Sequence, residues 1–311
     1  MKKCLRIVSR KSTLALWQAN FVKDQLASKY PDLAIQITTM LTEGDKILDL
    51  PLAKIGGKGL FVKALEEALL NDEADIAVHS LKDLPAQLPA ELELCAILER
   101  EDPRDAFVSF DFPNLQALPS KARIGTSSLR RQTQLYALRS DLSLIDLRGN
   151  VDTRIQKLAH KEYDGLLLAV AGLKRLGLTH HIREYLSPEQ MLPAIAQGAL
   201  GIECRRADQN IKTLVASLHH LPSAQCVLAE RSMNALLGGS CQLPIGGLAT
   251  VEADGLLKLQ GMVASPEGHT QLKATAHGKP IDMIAIGIQV AEQLLEQGAK
   301  AMIEACHSNP K

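Results

Sequence analysis

The chain has 311 residues, 46% of them hydrophobic and 23% charged, and its 35 Lys and Arg balance its 35 Asp and Glu. Those proportions suit a soluble globular protein of two or three domains and exclude a disordered, collagen-like or disulfide-scaffold chain. Zero net charge supplies no long-range field to gather a polyanion, so an acidic ligand must be met by a local cluster of cations, and aromatics at 3% are too sparse for a single-strand stacking platform.

From the N-terminus, Leu5 and Ile7 flank Arg6 as in a short strand, and Ser12 precedes a helix on which Leu14, Trp17 and Phe21 recur at helical spacing. Leu33, Ile35 and Ile37 alternate as a second strand. A glycine turn at Gly56–Gly59 leads to a helix from Leu60 to Leu70 and then to the apolar strand Ile76 to Val78. This alternation predicts a parallel α/β layer. After the charged, Pro-containing stretch Glu99 to Arg104 the alternation restarts: Arg123 to Gly125 leads to a helix at Ser128, Ser143 to Leu147 to one at Val151, and Gly165 to Val170 to one at Ala171. Pro188 and Pro193 close that second lobe. Beyond Leu221-Pro222-Ser223, the segments Leu257 to Ser265 and Thr270 to Ala276, joined by Pro266-Glu267-Gly268, predict a hairpin. Ile284, Ile288, Ala291 and Leu295 predict a closing helix with that stripe inward.

The apolar run Gly165 to Leu173 is about half the roughly 20 residues needed to span a bilayer, and Arg6, Arg10 and Lys11 interrupt the place of a signal-peptide core. A cytoplasmic protein is expected. Cysteines 4, 95, 204, 226, 241 and 306 form no CxxC pair and no zinc spacing, so most are expected as packing residues, with no metal. His180-His181 and His219-His220 cannot aim both members of a pair at one metal from a regular helix and are expected at the surface.

Four constellations could carry chemistry. In Val78 to Pro85 a buried strand gives way to Ser80, Lys82 and Asp83, at the carboxyl end where open α/β sheets bind ligands; ordinary solvated loop charges would give the same pattern. Thr126, Ser127 and Ser128 stand at a helix start before Arg130 and Arg131, an arrangement suited to a carboxylate or phosphate and also to a plain N-cap. Arg148 ends a strand, and Arg154 lies in the first turns of a helix, where a cation opposes the macrodipole and so needs another reason to be there. With Arg10 beside Ser12, Lys58 in the glycine turn and Arg175 after a later strand, these predict a cationic cleft between the lobes for a ligand with several carboxylates or phosphates. The fourth is Cys241 within Gly238-Gly239-Ser240-Cys241-Gln242-Leu243-Pro244, where glycines and proline suit an accessible nucleophilic thiolate better than a core filler.

Taken in order, Leu14 to Ala19, Lys54 to Phe61, His79 to Pro85, Gly125 to Gln132, Leu147 to Arg154, Ala169 to Gly177, Gln197-Gly198 and Cys241 to Gly246 resemble the motifs of the porphobilinogen deaminase (hydroxymethylbilane synthase) family, nearly end to end. Thr13, Leu81 and Ser240 depart from the pattern without touching a charge or the thiol. The resemblance implies two periplasmic-binding-protein-like, doubly wound α/β lobes joined by a double crossover, plus a small α+β C-terminal domain. The expected boundaries are residues 1–98 with 195–218, 99–194, and 221–311. It implies a transferase that adds four porphobilinogen units head to tail, with loss of ammonia, to a dipyrromethane cofactor held by a thioether to Cys241, and then releases the linear tetrapyrrole by hydrolysis. Asp83 is the implied catalytic acid. Arg10, Ser12, Gln18, Lys58, Phe61, Ser80, Lys82, Thr126, Ser127, Ser128, Arg130, Arg131, Arg148, Arg154, Arg175 and Gln197 are the expected cofactor and substrate contacts. A monomer binding neither nucleic acid nor membrane is expected. A two-lobed anion-binding or effector-sensing protein would share the cleft but would need neither the Cys241 loop nor a third domain, and a nucleic-acid binder fits poorly with zero net charge.

Overall fold

The computed structural model describes residues 4–42, 62–240 and 243–308. Lys58, Phe61 and Cys241 therefore lie outside the described residues, as does the glycine turn.

The first sheet runs β2 (Ala34–Met40), β1 (Cys4–Arg10), β3 (Ile76–Ser80), β10 (Leu200–Arg205), β4 (Leu92–Ile97). The second repeats that plan: β7 (Ser143–Ile145), β6 (Arg123–Gly125), β8 (Gly165–Ala169), β5 (Asp105–Val108), β9 (Ile182–Tyr185). Four strands of each sheet run in one direction and the fifth opposes them: β10 runs antiparallel to β3 and β4, and β5 antiparallel to β8 and β9. The layers are thus mixed and not parallel throughout as the alternation predicts. The odd strand in each lobe belongs to a chain segment crossing from the other, which sequence alternation cannot register.

Those two crossing segments lie side by side. Glu101 donates its amide to the Gly198 carbonyl at 3.2 Å, and Gly198 has φ +91° with no room for a Cβ, which would strike the Glu101 carbonyl oxygen. Glycine meets both demands, left-handed backbone and close approach.

In the first lobe, α1 (Thr13–Lys29) starts at Ser12, whose side chain accepts from the Ala15 amide, and buries Gln18, Ala19, Val22 and Leu26. Leu14, Trp17 and Phe21 are only half-buried, so the predicted stripe is rotated from the true inner face; Trp17 stacks on Phe21 at 5.2 Å. The next described helix is α2 (Lys63–Leu70). In the second lobe α3 (Leu129–Leu138), α4 (Val151–Ala159) and α5 (Val170–Arg175) follow β6, β7 and β8. The helix α6 (Gln209–Val215) follows β10 and packs on the first sheet.

The third unit is an antiparallel sheet of β11 (Ile245–Val251), β12 (Leu257–Ala264) and β13 (Gln271–Gly278), covered by α7 (Leu221–Leu236), α8 (Met283–Glu296) and α9 (Ala299–Ser308). The predicted hairpin is β12–β13, turning at Gly268 with φ +81°. On α8 the buried face is Ile286, Val290, Ala291 and Leu294, while Ile284 and Ile288 are exposed. Gln289 is the only polar residue from Met283 to Ala291, so periodicity alone does not fix the phase of this helix. His220, expected at the surface, is half-buried and caps α7 by accepting from the Ser223 amide. No helix among the described residues is long and apolar enough to cross a membrane.

Candidate active site

A cleft open to solvent lies between the first two lobes. Residues at or just beyond the carboxyl ends of strands form most of its walls. Leu14 comes from α1 after β1, Ser80 and Lys82 from the end of β3, Arg131 from α3, Arg154 from α4, Ala169 and Arg175 from the end of β8 and α5, and Gln197 from the crossover.

After β3 the chain makes a 3-10 turn, Leu81–Asp83, anchored by buried Leu81, whose amide donates to the Ala199 carbonyl at 3.1 Å. Anchoring Leu81 leaves Lys82 half-buried at the cleft and Asp83 exposed. Desolvation pushes Lys82 down to about 8, partly offset by Asp83 and reinforced by Arg131. Gln18 is buried behind this turn and donates to Ser80 Oγ at 2.7 Å, so it orients a cleft residue from outside the lining.

Across the cleft, Thr126 accepts from the Ser128 amide at 3.3 Å, and Ser127 Oγ donates to the Leu147 carbonyl at 2.9 Å while accepting from the Leu147 amide at 3.0 Å. The Ser127 hydroxyl thus fastens the loop after β6 to the loop before α4, while Thr126 braces the first of them locally. Ser128 occupies the N-cap of α3 without a side-chain capping bond. Arg130 and Arg131 both meet Asp105, through Arg130 Nη1 at 2.8 Å and Arg131 Nη2 at 2.7 Å. Burial alone would raise the Asp105 carboxyl; the two guanidiniums outweigh it and hold the group well below the usual carboxylate range. Arg130 also donates to the Leu192 carbonyl at 2.7 Å and sits behind the cleft wall, whereas Arg131 lines it. Arg154 donates Nε to the Gly149 carbonyl at 2.7 Å, and desolvation, with Arg131 and Arg148 nearby, pushes it down to about 10 against the pull of Asp83. Arg175 donates to the Gly198 carbonyl at 2.7 Å and is likewise pushed down to about 10 by desolvation. Arg10 closes β1 immediately before the Ser12 cap, and Arg148 is half-buried just ahead of α4.

Sequence reasoning missed Asp105. Its carboxylate takes Arg131, Arg130 and Gln197 Nε2, the last at 2.9 Å, and so fixes one wall of the cleft. The available signal was an acid opening the apolar run Ala106 to Val108, where a buried strand has no use for a charge without a partner.

Residues 5–213 match the family model for the porphobilinogen deaminase dipyromethane cofactor binding domain, and residues 224–296 match that for the porphobilinogen deaminase C-terminal domain. The chain belongs to the porphobilinogen deaminase family. Its activity is that of a hydroxymethylbilane synthase, a transferase that joins four porphobilinogen molecules head to tail with loss of ammonia and releases the product by hydrolysis. Its cofactor is a dipyrromethane. Among solved structures, a putative methionine-binding lipoprotein from Bacillus subtilis is 13% identical, with a TM-score of 0.44 over 70% of this chain and 90% of its own. A periplasmic substrate-binding protein of an ABC transporter from Coxiella burnetii is 15% identical, with a TM-score of 0.44 over 73% and 94%. A methionine-bound nutrient binding protein from Burkholderia cenocepacia is 12% identical, with a TM-score of 0.44 over 68% and 90%.

The described residues of this porphobilinogen deaminase fit its cofactor. A dipyrromethane carries an acetate and a propionate on each ring. Lys82, Arg154 and Arg175 line one cleft with their charged forms disfavoured by desolvation, a state that an incoming carboxylate relieves.

Proposed function

We propose that Asp83 is the catalytic acid of this hydroxymethylbilane synthase, that Cys241 holds the dipyrromethane by a thioether, and that the cleft cations bind the carboxylates of cofactor and substrate. One observation carries this reading: Lys82, Arg131, Arg154 and Arg175 converge on a single cleft, and the exposed Asp83 carboxylate adjoins Lys82 in the same turn.

When bound, the cofactor supplies the free pyrrole carbon to which porphobilinogen is joined. The chain's own residues prepare the substrate. Lys82, Arg131, Arg154 and Arg175 neutralise acetate and propionate groups, while Ser80, oriented by Gln18, adds a hydrogen-bonding hydroxyl. An Asp83 oxygen keeps the aminomethyl nitrogen of porphobilinogen protonated until the carbon–nitrogen bond breaks with both electrons leaving on nitrogen as ammonia. The remaining charge is a methylene cation conjugated with the pyrrole nitrogen, and the Asp83 carboxylate stabilises it electrostatically. Gln197, Arg10, Ser12, Arg148, Thr126, Ser127, Ser128, Arg130, Lys58 and Phe61 complete the proposed contact set, with Thr126, Ser127 and Arg130 acting through the backbone they brace.

We assign residues 1–98 with 195–218, 99–194, and 221–311 as the three domains, and a cytoplasmic monomer with no nucleic-acid partner as the working form. Zero net charge supports the last point. Intact mass spectrometry of the purified protein tests the attachment. An excess equal to one dipyrromethane, lost in Cys241→Ser, is expected, and an active protein with the bare polypeptide mass would refute it.

A further inference from the structure

The helix α7 of the third unit sends two consecutive buried side chains in different directions. Glu230 accepts from Arg100 Nη1 at 2.5 Å and from the Ala196 and Ala249 amides at 2.6 and 2.8 Å, tying both crossing segments to β11. Arg231 reaches the first lobe. Its Nη1 donates to the Leu84 carbonyl at 3.1 Å and its Nη2 to the Pro85 and Ala86 carbonyls at 2.7 and 3.3 Å. Those three carbonyls come directly after Asp83. Arg231 is 8% exposed, and burial pushes its guanidinium down to about 10, with Glu203 opposing the shift.

We infer that Arg231 is a positioning residue for the reaction: by gripping the carbonyls of Leu84, Pro85 and Ala86 from α7, it fixes the turn that presents Lys82 and Asp83 to the cleft. The inference rests on the assignment of Asp83 as the acid.

Three features carry it. Asp83 is exposed, so little of its own packing holds it in place. The turn is anchored on its N-terminal side by Leu81, packed in the core and bonded to the Ala199 carbonyl. On its C-terminal side Arg231 supplies a planar fork of donors that a single-point ammonium cannot reproduce. A helix of the third unit thereby sets the placement of an acid in the first. The same helix leads through Leu237 to Ser240 into Cys241.

A double-mutant cycle on the cofactor-loaded protein tests this. Arg231→Met should lower kcat by about 10- to 100-fold, the scale of a misplacement of about 1 Å, because the acid is displaced. The KM for porphobilinogen should rise by a smaller factor than kcat falls, because of the cleft cations only Lys82 shares the turn while Arg131, Arg154 and Arg175 are untouched. Arg231→Lys, which keeps a single donor nitrogen in place of the fork, should recover part of the loss. Intact mass should show undiminished cofactor, and hydrogen exchange at the amides of 84–88 should quicken in Arg231→Met. In an Asp83→Asn background, with turnover followed by the mass of enzyme-bound chains, Arg231→Met should cost nothing more.

Equal losses in both backgrounds would overturn the inference, as would a loss expressed only as raised KM with kcat unchanged. So would both Arg231 variants lacking cofactor. If Asp83→Asn alone kept near-parental turnover, the acid assignment would fail and take this inference with it. If Asp83→Asn collapsed and the cycle were additive, only the role of Arg231 would fall.

Discussion

Arg131 and Asp105 form a buried ion pair in which Nε and Nη2 both donate to Oδ1, at 3.1 and 2.7 Å. The same oxygen accepts from Gln197 Nε2 at 2.9 Å, so an arginine of the second lobe and a glutamine of the crossover are fixed by one carboxylate. Asp105 thereby fixes the direction in which Arg131 faces the cleft.

Removing that carboxylate leaves two guanidiniums buried without a counter-charge. Asp105→Ala should destabilise the protein by roughly 3 to 5 kcal/mol in urea unfolding, the usual cost of breaking a buried pair from one side. The acid limb adds a second readout. The Asp105 pKa is depressed in the fold from a usual value of 3.8, so its contribution is present above that value and disappears as pH falls below it toward the folded value. Asp105→Asn should therefore flatten the fall of stability below about pH 4; an unchanged acid limb would remove Asp105 as its source.

If Lys82 meets a substrate carboxylate as proposed, it should make substrate binding pH-dependent. Its pKa near 8 in the open cleft must rise when a carboxylate settles beside it, so binding takes up a proton above that pH and weakens as pH increases. The KM of the parent protein should climb above pH 8 more steeply than that of Lys82→Arg, whose guanidinium stays charged. Parallel KM profiles would show that another group sets the alkaline limb.

The parts of this fold that were legible in the sequence are those whose cause is local. Arg123 to Gly125 running into the helix after Ser128, Gly165 to Val170 running into α5, and the Gly268 hairpin each carry their own apolar run, cap or turn residue. The two crossing strands were illegible because β5 and β10 read like any short apolar run; their antiparallel seats depend on partners far away in the chain. Lys82, Arg131, Arg154, Arg175 and Gln197 could be singled out one by one, and the structure brings them to one cleft. Asp105 left only the hint of an acid opening an apolar run, and Arg231 left none. A buried charge is recognisable only once its partners are known, and neither residue has them nearby in sequence.

Asp83 is exposed and its replacement disturbs no core, so Asp83→Asn should change stability by no more than about 0.5 kcal/mol in thermal unfolding. Turnover should nonetheless fall by at least about 100-fold, the lower range for losing a general acid. The two measurements together separate chemistry from folding. A loss of activity that tracked a loss of melting temperature would reassign Asp83 to structure.

The cleft arginines should fail at different stages of chain growth. Each added pyrrole brings two more carboxylates, which must be neutralised at successive positions. Cations that meet the cofactor are needed from the outset, and those that meet later units only afterwards. Arg131 and Arg154 line the cleft from α3 and α4, and Arg154 is steadied through Nε by a backbone carbonyl, so both suit the earliest carboxylates. Arg10 and Arg148 lie at the strand end before α1 and just ahead of α4, and suit incoming substrate and elongation. A carboxylate buried without its guanidinium costs roughly 3 to 5 kcal/mol, enough to stall one addition while the protein stays folded. Native mass spectrometry after limited porphobilinogen exposure should therefore find Arg154→Leu without cofactor or arrested at the cofactor alone, and Arg148→Leu carrying a partly extended chain. Uniform slowing in every arginine variant, with no trapped species, would show that the cleft neutralises charge collectively and that no position belongs to a particular stage.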